Sequence, residues 1–418
     1  MPTASLTDHQ QAAYDAVYQR LADGERFTTL RGYAGTGKTH LIGHLIEQLE
    51  KEDCTVTACA PTHKAAQVLR AQMNGAAVPT QTIHSFLGLR LMPDGNGQYV
   101  LEPDGDVREY PAGIVIVDEA SMIGRREWTH IQQAPWHLQW LFVGDPAQLP
   151  PVNEPDSPVF DMPGPLLEEV HRQAAEHPIL KLAHQVRHNT AVFRSDFTGD
   201  EGVAVTNNAD GFMGSALRTF QSKAFEKDAT SARVLAYRNK TVRAYNRQIR
   251  TALYGADAPR FTKGEWLMVR DTWYHESTPY LKNSEEVRVK KTSVDEFEAE
   301  DMSTWKVWKL KVRGVHDAWS RTGLVLHEDE QERFATELDT RREAAIKDPR
   351  KWERFYELKE RFAQVDYAYA TTTHKAQGST FDTVFVDYRD LQACTGEERQ
   401  ALLYVAVTRP SRRLAVLV

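Results

Sequence analysis

Phe27-Thr28-Thr29-Leu30-Arg31 runs directly into Gly32-Tyr33-Ala34-Gly35-Thr36-Gly37-Lys38-Thr39, and an amphipathic stretch, His40–Glu50, follows. Strand, glycine-rich loop and helix in that order match the phosphate-binding pattern G-x-x-x-x-G-K-[ST]. Gly32, Gly35 and Gly37, with Thr36 carried in the same turn, let the backbone curl so that its N–H groups point at phosphate oxygens. Lys38 adds a point charge between the β- and γ-phosphates, and the Thr39 hydroxyl is a ligand for Mg²⁺. A chance glycine-rich turn would lack the flanking strand and helix. The stretch predicts a nucleoside-triphosphate site on a parallel α/β sheet.

Further apolar runs, Val56–Ala60, Ile114–Val117 and Trp140–Val143, alternate with helical stretches over the first 150 residues. That alternation predicts a parallel sheet covered on both faces, with ligands at the carboxyl ends of its strands. Asp118 and Glu119 emerge from the second of these runs. Beside a phosphate loop, Asp118 is placed to hold Mg²⁺ and Glu119 to polarise the attacking water. Standing alone, the pair would read as the acidic start of a helix. The last run leads to Gly144-Asp145-Pro146-Ala147-Gln148, where the neutral amide of Gln148 can sense a γ-phosphate. Read without its neighbours, this segment is a proline-rich exit turn.

A small hairpin is expected where Leu89–Met92 and Gln98–Leu101 flank the turn-rich Pro93-Asp94-Gly95-Asn96-Gly97. A second α/β pattern starts near Leu166, with strands at Arg233–Tyr237, Tyr367–Thr371, Val384–Val386 and Leu414–Val418. About ninety residues interrupt it. Val287 and Val289 alternate with charged residues. Trp305 and Val307 then alternate on one phase, and Trp308, Leu310 and Val312 on the other, which predicts a β-bulge between them. Trp352, Phe355, Tyr356, Lys359 and Phe362 recur at helical spacing. The insertion reads as a small barrel followed by a projecting helical pair. The expected division is 1–88, 89–103 (hairpin), 104–165, 166–275, 276–363 (insertion) and 364–418.

A chain of 418 residues exceeds one compact domain. No apolar run is long enough to span a bilayer, and the N-terminal residues lack a secretory pattern. Three cysteines, Cys54, Cys59 and Cys394, give neither a disulfide framework nor a zinc pattern. A cytoplasmic setting is expected, bacterial or phage-encoded. The net charge of −7 argues against a nucleic-acid coat but leaves room for a narrow basic channel.

In this combination the motifs resemble the superfamily-1 helicases of the 5′-to-3′ group, which include Dda-like and RecD-like enzymes. The resemblance runs from Leu6 to Val418. It implies two RecA-like motor domains, a strand-separating hairpin in the first, and an SH3-like barrel with a helical tower in the second. Leu6-Thr7-Asp8-His9-Gln10 resembles the family's glutamine motif, which makes Gln10 a reader of adenine, although Thr7 can equally cap the first helix. Pro61, Thr62 and His63, then His84 and Phe86, fall in segments similar to motifs that hold single-stranded DNA. Without the resemblance, His63 and His84 are ordinary loop or core histidines. Glu169-Val170-His171-Arg172-Gln173 resembles the motif supplying a γ-phosphate arginine. Thr371–Ser379, containing Thr373, His374, Lys375 and Gly378, is similar to the T-x-H-K-x-Q-G motif that links DNA to nucleotide. Leu403–Arg409 resembles the final motif, in which Arg409 neutralises charge on the transferring phosphoryl group. Surface ion pairs are the usual fate of such arginines. The hairpin tip lacks the family's aromatic, and Tyr99 is the nearest candidate wedge.

The expected activity is ATP- and Mg²⁺-dependent unwinding of DNA, on single strands and duplex junctions, by a monomer, with replication or recombination proteins as possible associates. Three alternatives share many of these residues: a translocase that strips bound proteins, an Upf-like RNA helicase, and a phosphate-loop nucleotide kinase. The kinase has no use for a second lobe with its own arginine. A pure binding module has no use for Glu119, Gln148 and Arg409 together.

Overall fold

Short runs of consecutive apolar residues need cover on both faces. In the computed structural model, which describes residues 5–73, 78–93, 99–106, 108–169, 177–275, 278–299, 303–315, 320–394 and 396–418, these runs form two such sheets. The strands of the first are β1 (Phe27–Gly32), β2 (Val56–Ala60), β3 (Thr80–Thr82), β6 (Gly113–Val117), β7 (Leu138–Gly144) and β8 (Leu166–Leu167), in the order β3-β2-β6-β7-β1-β8. Every pairing is parallel. Ile114 and Ile116 face a core shared with α1 (Asp8–Ala22) and α2 (Lys38–Lys51), while Val115 and Val117 face an opposite core with Trp140 and Phe142. The sheet therefore extends to Leu167, two residues beyond the expected junction at 165/166, because Leu166–Leu167 pairs with Arg31–Gly32.

Two helices lead out of the first sheet, α3 (His63–Gln72) after β2 and α4 (Ile83–Leu87) after β3. The hairpin is β4 (Leu89–Pro93) with β5 (Tyr99–Pro103), in register from Leu89↔Pro103 to Pro93↔Tyr99. Its expected tip, residues 94–97, lies outside the described residues, as does residue 98 of the expected return strand.

The second sheet has the order β19 (Ala370–Thr372), β11 (Ala232–Ala236), β20 (Phe381–Asp387), β21 (Pro410–Leu417), β10 (Glu201–Thr206) and β9 (Asp196–Thr198). All pairings are parallel except the edge pair β9–β10. Val384 and Val386 enter one core and Phe385 the other. Helix α6 (Pro178–Arg187) and α12 (Gly396–Thr408) pack on the first of these cores. (The labels α5, Arg125–Gln133, α7, Ala209–Phe220, and α8, Asn239–Tyr254, complete the two lobes.)

The insertion is a five-stranded antiparallel sheet with the order β17 (Arg321–Leu326), β16 (Thr304–Gly314), β15 (Glu286–Glu298), β12 (Trp266–Val269) and β18 (Val365–Tyr367), beside a short ribbon, β13 (Trp273–His275) and β14 (Thr278–Leu281). It starts earlier and ends later than the expected 276–363, because β12 and β18 are its own strands. For the same reason the expected strand Tyr367–Thr371 divides, Tyr367 pairing with Leu267 and Ala370 with Val234. A backbone hydrogen bond from Ala363 to Leu324 (2.8 Å) links its two edges.

The expected bulge in β16 is not there. Its own residues pair with β15 consecutively, and the register shift lies on the β15 side, between Val289 and Lys291. The two phases are opposite faces of one long strand: Trp308, Leu310 and Val312 fill the sheet's interior, while Trp305 and Val307 pack on Leu358 and Phe362 from the helical side. The helical pair is α9 (Gln331–Lys347) and α10 (Trp352–Glu360), sealed by Ala345, Trp352, Phe355 and Tyr356.

One ion network ties the pieces together. Glu286 of the insertion pairs with Arg233 of β11 at 2.6 Å, both side chains almost wholly buried, and also with Lys64 of the first lobe. Burial pushes the Arg233 pKa down against the opposing pull of Glu286. Glu286→Ala would strand a buried guanidinium, so a loss of about 3–5 kcal/mol in urea unfolding is expected. Lys64→Ala should cost less, because Arg233 keeps its carboxylate.

Candidate active site and nucleic-acid interface

Strand order decides what meets at the first lobe's carboxyl edge. With β7 between β1 and β6, the phosphate loop and Asp118-Glu119 lie two strand spacings apart, about 10 Å. That gap has the size of a phosphate with its metal. Gly35 and Gly37 take φ of 79° and 83°, and Gly37 forms the left-handed N-cap of α2. A side chain at Gly37 would also collide with Gln10 Nε2. The Lys38 ammonium donates to the carbonyls of Gly32 (2.6 Å) and Tyr33 (3.1 Å), so it lies along the floor of the loop.

Gln10, read from the resemblance as an adenine reader, spends both ends of its amide on the protein. Its Nε2 donates to Thr36 O (3.0 Å) and its Oε1 accepts from Thr7 N (3.1 Å), and the residue is buried. It clamps the loop from behind. Thr36, also buried, donates to Tyr33 O at 2.8 Å. Thr39 is exposed at the helix start.

Asp118 accepts from Glu119 N at 2.9 Å. Burial pushes its carboxyl pKa up, against the pull of that hydrogen bond and of Lys38. Burial also raises the Glu119 pKa; Arg409 opposes this, and the neighbouring Asp118 and Asp145 carboxylates add to it. Glu119 adopts φ 53°, a left-handed geometry costing a non-glycine residue roughly 1–2 kcal/mol. The strain turns its side chain toward the second lobe.

Arg409 meets it there, with Nη1 4.0 Å from Glu119 Oε1. The guanidinium is aimed by three donations, to Val405 O (3.1 Å), Ser379 O (3.2 Å) and Thr408 Oγ1 (3.1 Å). Gln377 donates across the cleft to Ser121 Oγ (3.2 Å), Gln148 Oε1 (3.3 Å) and Leu149 O (3.4 Å). The amide oxygen of Gln148 is thus engaged by the other lobe. Gly378, read as a nucleotide contact, has φ 70°, and a Cβ there would sit 3.0 Å from Ala65 Cβ. Its missing side chain lets the lobes approach. Arg172 lies outside the described residues.

The strand-binding candidates separate into two groups. Pro61, Thr62 and His63 top the first lobe, where Thr62 accepts from Ala65 N and caps α3. Burial, with help from Lys282 and His84, pushes the His63 pKa down to about 4, so its ring is neutral at physiological pH. His84 faces Glu127 at 3.4 Å. His374 and Lys375 are exposed on the short α11 (Thr373–Ala376), His374 facing Glu398 at 3.3 Å. Two others are spent on structure. The Phe86 ring packs edge-on against Trp140 and Tyr110 in the core, and the fully buried Thr373 hydroxyl faces Ala236 O at 3.4 Å. The Thr373 side chain is thereby closed off from a strand, whereas the Phe86 ring is only partly buried. The Tyr99 side chain lies outside the described residues.

Sequence reading missed Asp145, Arg187, Lys282 and Tyr404 as members of this region. Asp145 and Tyr404 stood within quoted segments, but only the fold reveals that they touch. Arg187 stacks on the Tyr33 ring at 3.6 Å, a contact 154 positions apart that no local pattern announces.

Residues 5–206 match the AAA domain family, and residues 367–418 match the UvrD-like helicase C-terminal domain. The chain is 28% identical to the ATP-dependent DNA helicase dda of enterobacteria phage T4, with 97% of each chain covered. It is 35% identical to the ATP-dependent RecD2 DNA helicase of Deinococcus radiodurans over 42% of this chain and 24% of that one. Among solved structures, Bacteroides Pif1 bound to single-stranded DNA superposes with a TM-score of 0.50 at 16% identity, covering 99% of this chain and 92% of that one, a likeness of fold. These matches support the resemblance to the superfamily-1 helicases.

Two measurements test the site. Lys38→Ala should abolish ATP turnover while leaving the thermal melt near that of the parent. Glu119→Gln should also abolish turnover, yet melt higher at about pH 8, because a carboxyl whose folded pKa is raised costs stability once ionised. That advantage should shrink as pH falls through the raised pKa and the parent's carboxyl takes up its proton.

Proposed function

We propose that this protein is an ATP-dependent DNA helicase that moves 5′ to 3′ along single-stranded DNA and opens duplex ahead of it. One observation carries the reading: the nucleotide site is composite, with Lys38, Asp118 and Glu119 from one lobe and Arg409 from the other, 4.0 Å from Glu119. Transition-state charge is fully neutralised only when the lobes close, so hydrolysis becomes a consequence of closure.

ATP lies on the Gly32–Thr39 loop. Thr39 and Asp118 would hold Mg²⁺, which would supply positive charge to offset that of the phosphates. The donor set fits: a hydroxyl and a carboxylate, the hard oxygens that Mg²⁺ prefers. Glu119 orients the attacking water and takes its proton. Gln148 and Gln377, joined at 3.3 Å, carry the change at the γ-phosphate between lobes.

DNA lies across both lobes, on Pro61, Thr62, His63 and His84 from one side and His374 and Lys375 from the other, with Lys282 of the insertion beside His63. A neutral His63 ring suits stacking, which is worth about 1–3 kcal/mol per base without sequence preference. The T4 relative's name supports DNA over RNA as the track. The 5′-to-3′ direction follows the family resemblance. The hairpin β4–β5 is the candidate strand separator, the insertion its SH3-like and tower-bearing support, and the working unit is a monomer in the cytoplasm.

ATPase activity should rise many-fold with single-stranded DNA, and duplexes with a 5′ tail should unwind while those with a 3′ tail do not. Stimulation without unwinding on either tail would instead assign a protein-stripping translocase. His374→Ala should lose DNA stimulation of turnover while retaining most basal turnover. Equal loss of both would make His374 structural.

A further inference from the structure

The phosphate loop is gripped by the second lobe at a point that nucleotide chemistry does not require. Tyr404 of α12 enters the first lobe with its ring almost wholly buried. Its hydroxyl accepts from Ala34 N, in the first half of the loop, at 2.9 Å. The same hydroxyl donates to Asp145 Oδ2, beyond β7, at 2.7 Å. Asp145 is buried, and its other oxygen accepts from Ala147 N at 2.9 Å. One hydroxyl thereby bridges two first-lobe loops. Burial, followed by the Asp145 charge, pushes its pKa up, so it remains a proton donor at all working pH values. Beside it, Arg187 stacks on Tyr33, the residue preceding Ala34, while Ala34 and Ala147 pack against the second-lobe core.

Tyr404 and Arg409 share an unbroken stretch of backbone. The guanidinium of Arg409 is fixed to Val405 O, one residue after Tyr404, and to Ser379 O. Whatever sets the height of Tyr404 over the loop also sets where Arg409 arrives. We propose that Tyr404 is a positioning residue for hydrolysis: its hydroxyl docks the end of α12 onto Ala34 and Asp145 and so fixes Arg409 opposite Glu119. The proposal rests on the reading of Arg409 as the charge-neutralising arginine. It explains why the bridging group is a phenol, since a phenylalanine would fill the same space without either hydrogen bond and would leave Asp145 buried with no donor from the other lobe.

Steady-state ATPase at saturating single-stranded DNA tests this with four proteins: parent, Tyr404→Phe, Arg409→Ala and the double variant. Arg409→Ala should lose turnover; full activity in it would overturn the parent reading of the site, separately from the proposal. Tyr404→Phe should lower kcat tenfold or more with KM for ATP changed less than threefold, about 1.4 kcal/mol per tenfold in rate. In the Arg409→Ala background it should lower kcat no further, because its effect passes through the arginine. A merely structural tyrosine would raise KM and lower kcat together, and would multiply the loss in the double variant; either result overturns the proposal. Should Tyr404→Phe melt far below the parent, Asp145→Asn decides the matter. It leaves the hydroxyl in place but removes the charge and one of the two acceptor oxygens at 145, and should reproduce a smaller kcat loss at unchanged KM. An unchanged kcat in Asp145→Asn then overturns it.

Discussion

The structure depends on a concentration of buried negative charge at the edge of one sheet. Asp118, Glu119 and Asp145 all end strands or strand-exit turns of the first lobe, and all are largely shielded from water. Isolated buried carboxylates are expensive. Each has therefore been given a counterpart: Lys38 and a backbone amide for Asp118, Arg409 for Glu119, and the Tyr404 hydroxyl with the Ala147 amide for Asp145. Two of those counterparts come from another lobe. The chain needs its second sheet to complete the electrostatics of the first, and this need makes an interface into an active site.

The same logic explains the polar character of the cleft. An apolar interface between lobes would close and stay closed. Beside the packing of Ala34, Ala147 and Leu149 on the second-lobe core, the crossing contacts are hydrogen bonds, a long ion pair and a guanidinium over a ring, each worth on the order of 1 kcal/mol net. Such contacts add up to a closed state that phosphate chemistry can tip. Glycine at 378 serves this economy, since a methyl group there would meet Ala65 before the bonds could form.

The insertion is bound in by a different device. Glu286 sits between Arg233 and Lys64, so a single carboxylate joins insertion, second lobe and first lobe. The small sheet that carries Lys282 beside the proposed DNA path is thereby joined to both lobes. The long strand β16 faces the sheet interior at one end and the helical pair at the other.

The sequence by itself determined the elements and most of the chemistry. The phosphate loop was legible because G-x-x-x-x-G-K-[ST] is local: its φ angles, its lysine and its flanking strand and helix all lie within thirty residues. The apolar runs predicted both sheets because their burial on two faces leaves no polar alternation. Spacing misled where two different environments share one strand. The phase shift at Val307–Trp308 records burial on opposite faces and was read as a bulge, and Val365–Tyr367 belongs to the insertion's sheet although the chain around it reads as motor domain. Motif position points Thr373 at DNA, whereas packing commits its side chain to the interior. Tertiary structure alone decided who meets across the cleft. Tyr404 touches Ala34 across 370 positions of sequence, and Arg187 touches Tyr33 across a shorter but equally silent separation. Hydrogen bonds and ring contacts leave no periodic trace along a chain, so only folding two sheets edge to edge brings them into view.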